Sequence, residues 1–183
     1  MGSCLHAFYV LGCSVPSAGL LPLHAHLLTG WSAMASGKKY TLLPSCSKYA
    51  PNLIIIAACD GASSTGQIGN EVARILTKRY PNLVRMCCLA AVAAGSQLHV
   101  KIFRDARAVI AINGCPLQCA SKVLRSRGIE PTYEVTITEL GVPKASTLDF
   151  DEETAHTIAE RIAEEFIKKL SEGNQGEPQN SNQ

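Results

Sequence analysis

Leu53-Ile54-Ile55-Ile56-Ala57-Ala58 is a continuous apolar run of strand length, and Cys59-Asp60-Gly61-Ala62-Ser63-Ser64-Thr65-Gly66 comes directly after it. A strand without polar alternation is covered on both faces, as in a parallel sheet. Beyond Gly66, residues Ile68, Val72, Ile75 and Leu76 recur on one helical stripe, with Arg74 and Lys78 off it, to about Arg79. Ser64 and Gln67 have capping-box spacing, and Pro81 ends the unit. This strand–loop–helix unit is the repeating plan of the chain.

Residues 83–88 read as a second strand, 89–95 as a small-residue turn, and 96–104 as a short helix. Arg107 to Ile112 reads as a third strand. Asn113-Gly114-Cys115-Pro116-Leu117-Gln118-Cys119-Ala120 then opens a helix expected over residues 115–127. Pro116 suits its first position, which makes Cys115 the N-cap and puts Cys119 in the first turn. Both thiols would face the positive end of the helix dipole, which favours thiolate. Tyr133-Glu134-Val135-Thr136-Ile137-Thr138 alternates apolar and polar residues, as an edge strand does. The last helix is expected from about Asp151 to Leu170, with Ala155, Ile158, Ile162, Phe166 and Ile167 as its stripe. Asp149 and Glu152 have capping spacing, and Lys168 and Lys169 close the helix. Strands alternating with helices give an α/β three-layer sandwich with a mostly parallel four-stranded sheet, Rossmann-like in kind.

The chain has 183 residues, 46% hydrophobic and 17% charged, which suits one domain with a substantial core. A net charge of +2, one Trp and no basic cluster interleaved with aromatics point away from nucleic acid and from a membrane surface. Residues 1–33 carry no Lys, Arg, Asp or Glu, and their apolar run is broken by Pro16, Pro22, His24 and His26. That is a poor membrane span, and no basic start of a signal peptide precedes Lys38. The expectation is a start at Met34, with residues 1–33 mis-called or disordered. A single domain then covers 34–170, and a polar disordered tail covers 171–183. His24 and His26 read as a loop pair, and Cys46 as an unpaired thiol in a loop.

The eight cysteines are Cys4, Cys13, Cys46, Cys59, Cys87, Cys88, Cys115 and Cys119. A secreted disulfide framework is shorter and denser, so reduced thiols in a cytoplasmic protein are expected. Cys59 follows the first strand, Cys87 and Cys88 end the second, and Cys115 and Cys119 follow the third. In a parallel sheet these strand ends lie on one edge, where ligands bind. Thiolates from Cys59, Cys88, Cys115 and Cys119 could form a tetrahedral zinc site, or hold an iron–sulfur cluster. Cys87 competes with Cys88, because successive strand residues face opposite ways. The loop Gly61, Ser63, Ser64, Gly66 and Gln67 could offer N–H groups to thiolates or an anion. Its Gly61–Gly66 spacing matches a nucleotide-binding loop, but Gln67 and Ile68 stand where Lys and Ser/Thr are needed.

Cys59-x-Gly61-Ala62-Ser63-x-x-Gly66-Gln67-x-x-Asn70, Cys88-Leu89-Ala90 and Gly114-Cys115-Pro116-Leu117-Gln118-Cys119-Ala120 together resemble the DGC-domain family, named for an Asp-Gly-Cys motif. The resemblance runs from about Leu53 to Lys144, with Gly141-Val142-x-Lys144 also in pattern. It implies zinc as the bound metal ion and Cys59, Cys88, Cys115 and Cys119 as its chelators, and it selects Cys88 over Cys87. The family's Asp is replaced by Asn113, which keeps size and an acceptor but loses charge. Three functions are expected in order. The first is a Cys4 zinc site, structural or labile. The second is a thiol redox or sulfur-transfer enzyme with Cys115 as nucleophile and Cys119 as resolving thiol. The third is an iron–sulfur protein. His99 and His156 read as surface or core-edge residues, and Arg104, Asp105 and Arg107 as a charged turn without a special role.

Overall fold

A computed structural model of the chain describes residues 42–172. The readings of residues 1–33 and of most of the tail lie outside the described residues. Four strands, β1 (Ile54–Ala58), β2 (Val84–Met86), β3 (Ala108–Asn113) and β4 (Tyr133–Thr136), form one all-parallel sheet in the order β2-β1-β3-β4. The expected three-layer α/β fold is therefore present.

The helices are α1 (Cys46–Tyr49), α2 (Ser64–Arg79), α3 (Leu89–Ala93), α4 (Gln97–Asp105), α5 (Cys119–Arg125), α6 (Glu152–Ile162) and α7 (Lys168–Glu172). A π turn over Ala163–Ile167 joins the last two. The chain travels one way across the sheet from β1 to β2, then reverses through β3 to β4. Crossovers of a single hand then require the helices to change face at the reversal. The packing shows this change. Ile54, Ile56, Ile110 and Ile112 meet α2 and α6 through Ile68, Val72, Leu76, Ile158 and Ile162. The alternate residues Ile55, Ala57, Val109 and Ala111 meet Val92 of α3, Val100 and Phe103 of α4 and Leu124 of α5. Each fully buried Ile contributes about 1.5–3 kcal/mol of transfer free energy, so the unbroken apolar run of β1 anchors both layers. The edge strand β4 is covered where Tyr133 stacks on Phe166 at 5.0 Å and donates its hydroxyl to Glu165 at 2.8 Å.

Several boundaries differ from expectation. The N-cap of α2 is Ser63, whose Oγ accepts from the Gly66 N–H at 3.3 Å, not Ser64. The side chain of Gln67 instead donates to the Gly61 carbonyl at 3.1 Å and to Asp60 at 3.3 Å, bracing the loop. Residues 89–93, read as a turn, form α3, because small and apolar residues after Cys88 allow a helix wherever packing supplies a partner. The last helix is capped by Asp151, whose carboxylate accepts from the Thr154 N–H at 2.8 Å, not by Asp149. The helical run continues through Glu172, past the expected start of the tail.

The loop leaving β3 touches the first turn of α2 through backbone, and that turn lies against the loop leaving β1. A Cβ on Gly114 would stand 3.1 Å from the Gly66 nitrogen and 3.2 Å from the Thr65 carbonyl carbon. A Cβ on Gly66 would press into the Gly61 carbonyl and lie 2.8 Å from the Gly61 nitrogen. Gly66→Ala should therefore destabilise the fold by roughly 3 kcal/mol, since rigid backbone must yield. Gly114→Ala, with slightly more room, should cost about 1 kcal/mol. Thermal or denaturant unfolding of both variants checks this order; equal stability of Gly66→Ala and wild type would contradict the packing.

Candidate functional site

The sheet order places the reversal of chain direction between β1 and β3, where an open α/β sheet leaves a crevice at the carboxyl edge. The loop 59–63 leaves β1 on one side of it, and the loop 114–118 leaves β3 on the other. Cys59 comes directly after β1, its N–H bonded to the Ile112 carbonyl at 2.8 Å and its sulfur lying against Gly61. Cys59 and Cys115 are half-buried, while Cys88 and Cys119 are exposed.

The loop after β3 is not the helix start expected from Pro116. Residues 115–118 form a β-turn closed by the Gln118 N–H to the Cys115 carbonyl at 2.9 Å. Pro116 occupies its second position, which is the other site that a fixed φ favours. Gln118 has φ +51° and precedes α5, whose first residue is Cys119. Cys115 is therefore not an N-cap, and the dipole of α5 does not act on it as expected. A non-glycine residue in the left-handed region costs on the order of 1 kcal/mol, and here it stands between the two thiols.

Asn113 explains how this loop is held. It is fully buried, its amide donates to Ser121 Oγ at 2.7 Å, and its carbonyl oxygen accepts from the Ser121 N–H at 3.2 Å. The side chain thus ties the end of β3 to the first turn of α5, with a donor and an acceptor both used. A carboxylate could supply only acceptors. Ser121, a partner that no local pattern in the sequence marks, engages both the donor and the acceptor of Asn113.

Lys144 also enters the site. The Ser64 N–H donates to the Ala145 carbonyl at 3.1 Å, and the Ala145 N–H donates to Ser64 Oγ at 2.9 Å. This reciprocal latch fastens the 141–146 loop to the start of α2 and leaves the Lys144 ammonium 3.5 Å from Cys115 Sγ. The same latch occupies the Ser64 N–H, while Gly66 and Gln67 donate to Ser63. Most of the N–H groups expected to serve a ligand thus have partners within the protein. Cys88 precedes α3, Cys119 begins α5, and these two helices pack together. Cys87 turns to the apolar layer instead, beside Cys46, and burial with that neighbouring thiol pushes its pKa up to about 12. His99 pairs with Ser96 at 2.8 Å, and His156 is exposed near Glu71 and Arg74 of α2.

The four expected donors thus lie on three loops along one edge. Among the described residues, no three His, Cys, Asp or Glu side chains are close enough to share a metal ion. The donor set has the chemistry of a soft-metal site, but its side chains do not converge in this conformation.

The DGC-domain model matches residues 55–162, the stretch that carries β1 through α6 and all four thiols. The chain belongs to the DGC-domain family. A curated relative, the "Anaerobic and virulence modulator AnvM" of Pseudomonas aeruginosa, is 31% identical over 121 residues, covering 66% of this chain and 88% of that protein. No solved structure matches the chain. No helix among the described residues of this DGC protein is long and apolar enough to cross a membrane.

Asn113→Ala should lower stability by about 2–3 kcal/mol, because it leaves the buried Ser121 N–H and hydroxyl without partners. Chemical denaturation measures this, and a loss under about 0.5 kcal/mol would show that the pair is not what holds the loop.

Proposed function

We propose that this protein binds a soft divalent metal ion, zinc first, through Cys59, Cys88, Cys115 and Cys119 at the carboxyl edge of the sheet. The observation that supports this is the delivery of four thiols by three separate strand ends to one edge, with the β3 loop in backbone contact with the start of α2. Core packing alone gives no reason for that coincidence. Binding requires the exposed Cys88 and Cys119 to turn toward the half-buried Cys59 and Cys115. Zinc would supply a charge centre that draws the loops together.

The site reads as labile rather than structural. Both apolar layers are closed by side chains from strands and helices, so the core does not depend on an ion. A structural zinc normally replaces a core that the chain is too small to build. Reversible binding at an edge suits metal sensing or carriage in a reducing compartment. Thiols also respond to oxidants, which agrees with the anaerobic role that the name of the Pseudomonas relative gives to that protein.

A second reading rests on the ammonium of Lys144 beside Cys115. A cation at that distance is a charge partner for a thiolate, whether it ligates metal or attacks a substrate sulfur. Lys144→Met should slow alkylation of Cys115 by iodoacetamide several-fold in metal-free protein and leave Cys119 unchanged. Equal slowing at both cysteines, or none, would remove Lys144 from the site.

Elemental mass spectrometry on anaerobically purified protein should find about one zinc per chain, lost in Cys115→Ser. Chelation should remove the metal while the melting temperature moves by only a few degrees. Collapse of the fold on chelation would make the site structural. Iron with sulfide would replace zinc by a cluster. Absence of metal, with Cys115 and Cys119 oxidising as a pair, would transfer the function to thiol redox chemistry.

A further inference from the structure

Lys144 brings to the thiol edge a positive charge that no carboxylate balances. It forms no ion pair among the described residues, and its ammonium stands 3.5 Å from Cys115 Sγ. Main chain sets this position, because the residue after it, Ala145, is latched to Ser64. Ser64 opens α2, a 16-residue helix whose first turn carries no acid and whose dipole is positive at that end. Asp60, on the neighbouring loop, is engaged instead by the Gln67 amide at 3.3 Å. Cys115 is half-buried and Lys144 exposed, so thiol and ammonium are reached together from solvent. A soft nucleophile thus stands beside an unbalanced cation. The short spacing between them selects an electrophile whose negative charge lies next to its reacting atom. A sulfur atom bonded to a sulfonate meets that demand, with soft sulfur for the thiol and anionic oxygens for the ammonium.

We propose that Cys115 and Lys144 together accept sulfur from S-sulfonate donors, of which thiosulfate is the simplest. The inference rests on the second reading of the site, in which Cys115 is a nucleophile in metal-free protein. Lys144 pairs with the sulfonate oxygens and brings the donor's outer sulfur against Cys115. The sulfur of Cys115, its proton given to solvent, attacks that outer sulfur. A new S–S bond forms on Cys115, and the bond between the outer sulfur and the sulfonate breaks. Sulfite leaves with the electron pair of the broken bond, and a persulfide anion remains on Cys115. Thiolate and thiosulfate carry three negative charges, as do persulfide and sulfite, so no outside oxidant or reductant takes part. Charge gathers on the departing sulfite, where the ammonium already stands. A neutral disulfide, or a donor whose charge lies several bonds from its sulfur, gains nothing from Lys144.

The test uses the reduced, metal-free full chain and follows each cysteine by peptide mass spectrometry. Neutral iodoacetamide reports whether Cys115 is a nucleophile, and anionic iodoacetate reports whether Lys144 draws an anion to it. Lys144→Met should slow iodoacetate more than iodoacetamide at Cys115, several-fold in the ratio of the two rates, with no change of that ratio at Cys119. Thiosulfate should then add one sulfur to Cys115, removable by a thiol reductant, with release of an equal amount of sulfite. The addition should be absent from Cys115→Ser, slowed several-fold in Lys144→Met and largely regained in Lys144→Arg. Persulfide formed equally fast in Lys144→Met, or formed on another cysteine, would overturn the proposal. So would the lack of any persulfide while iodoacetamide still labels Cys115 readily, an outcome that leaves the nucleophile reading intact. Inertness of Cys115 to iodoacetamide as well would remove that reading and the proposal together.

Discussion

The site depends on one close approach of backbones. Gly114, leaving β3, lies against Thr65 and Gly66 at the start of α2, and Gly66 in turn lies against Gly61. No side chain larger than hydrogen fits at these contacts without moving a main chain. The approach brings the loops after β1 and β3 to the same crevice, and Cys59 and Cys115 come with them. It also fixes where α2 begins, and therefore where Ser64 can latch Ala145 and carry Lys144 to Cys115. A displacement of Gly66 would loosen both thiol loops and the lysine together.

Burial then divides the work among polar groups. Asn113 and Ser121 are fully buried and satisfy each other, so they hold the loop without offering anything to a ligand. Lys144 is exposed and reaches the rim through a loop that is fastened by its main chain rather than by packing. Cys88 and Cys119 are exposed on short packed helices, whereas Cys59 and Cys115 are half-buried beside the crevice. Fixed groups lie beneath, and adjustable ones lie above. That arrangement suits a centre that closes around an ion or a substrate sulfur and opens again.

Much of this was legible in the sequence because burial writes itself as periodicity. The unbroken run from Leu53 to Ala58 announced a strand covered on both faces, and the stripe of Ile68, Val72 and Leu76 announced the helix above it. From the alternation of such strands and helices the placement of Cys59, Cys87 or Cys88, Cys115 and Cys119 on one edge came by topology, and the family resemblance chose Cys88 over Cys87. What the sequence hid were contacts between segments far apart in the chain. Lys144 is 29 residues from Cys115, and the latch of Ala145 to Ser64 brings them together. Cys46 and Cys87 are likewise separated by β1 and α2. Local signals misled where two turn chemistries share a residue. Pro116 favours both a helix start and the second position of a β-turn, and the left-handed Gln118 decides for the turn.

The two faces of β2's exit show why adjacent cysteines take different roles. A strand alternates its side chains, so Cys87 is directed to the α3–α4 layer, where burial and a neighbouring thiol hold it protonated. Metal binding needs a deprotonated sulfur, and the cost of creating one there is high. Cys88 escapes the layer because the strand ends and α3 begins, leaving its side chain in solvent. A one-residue shift of that boundary would exchange the two. The short length of β2 therefore separates the two thiols: it ends soon enough to leave Cys88 exposed while Cys87 stays against the core.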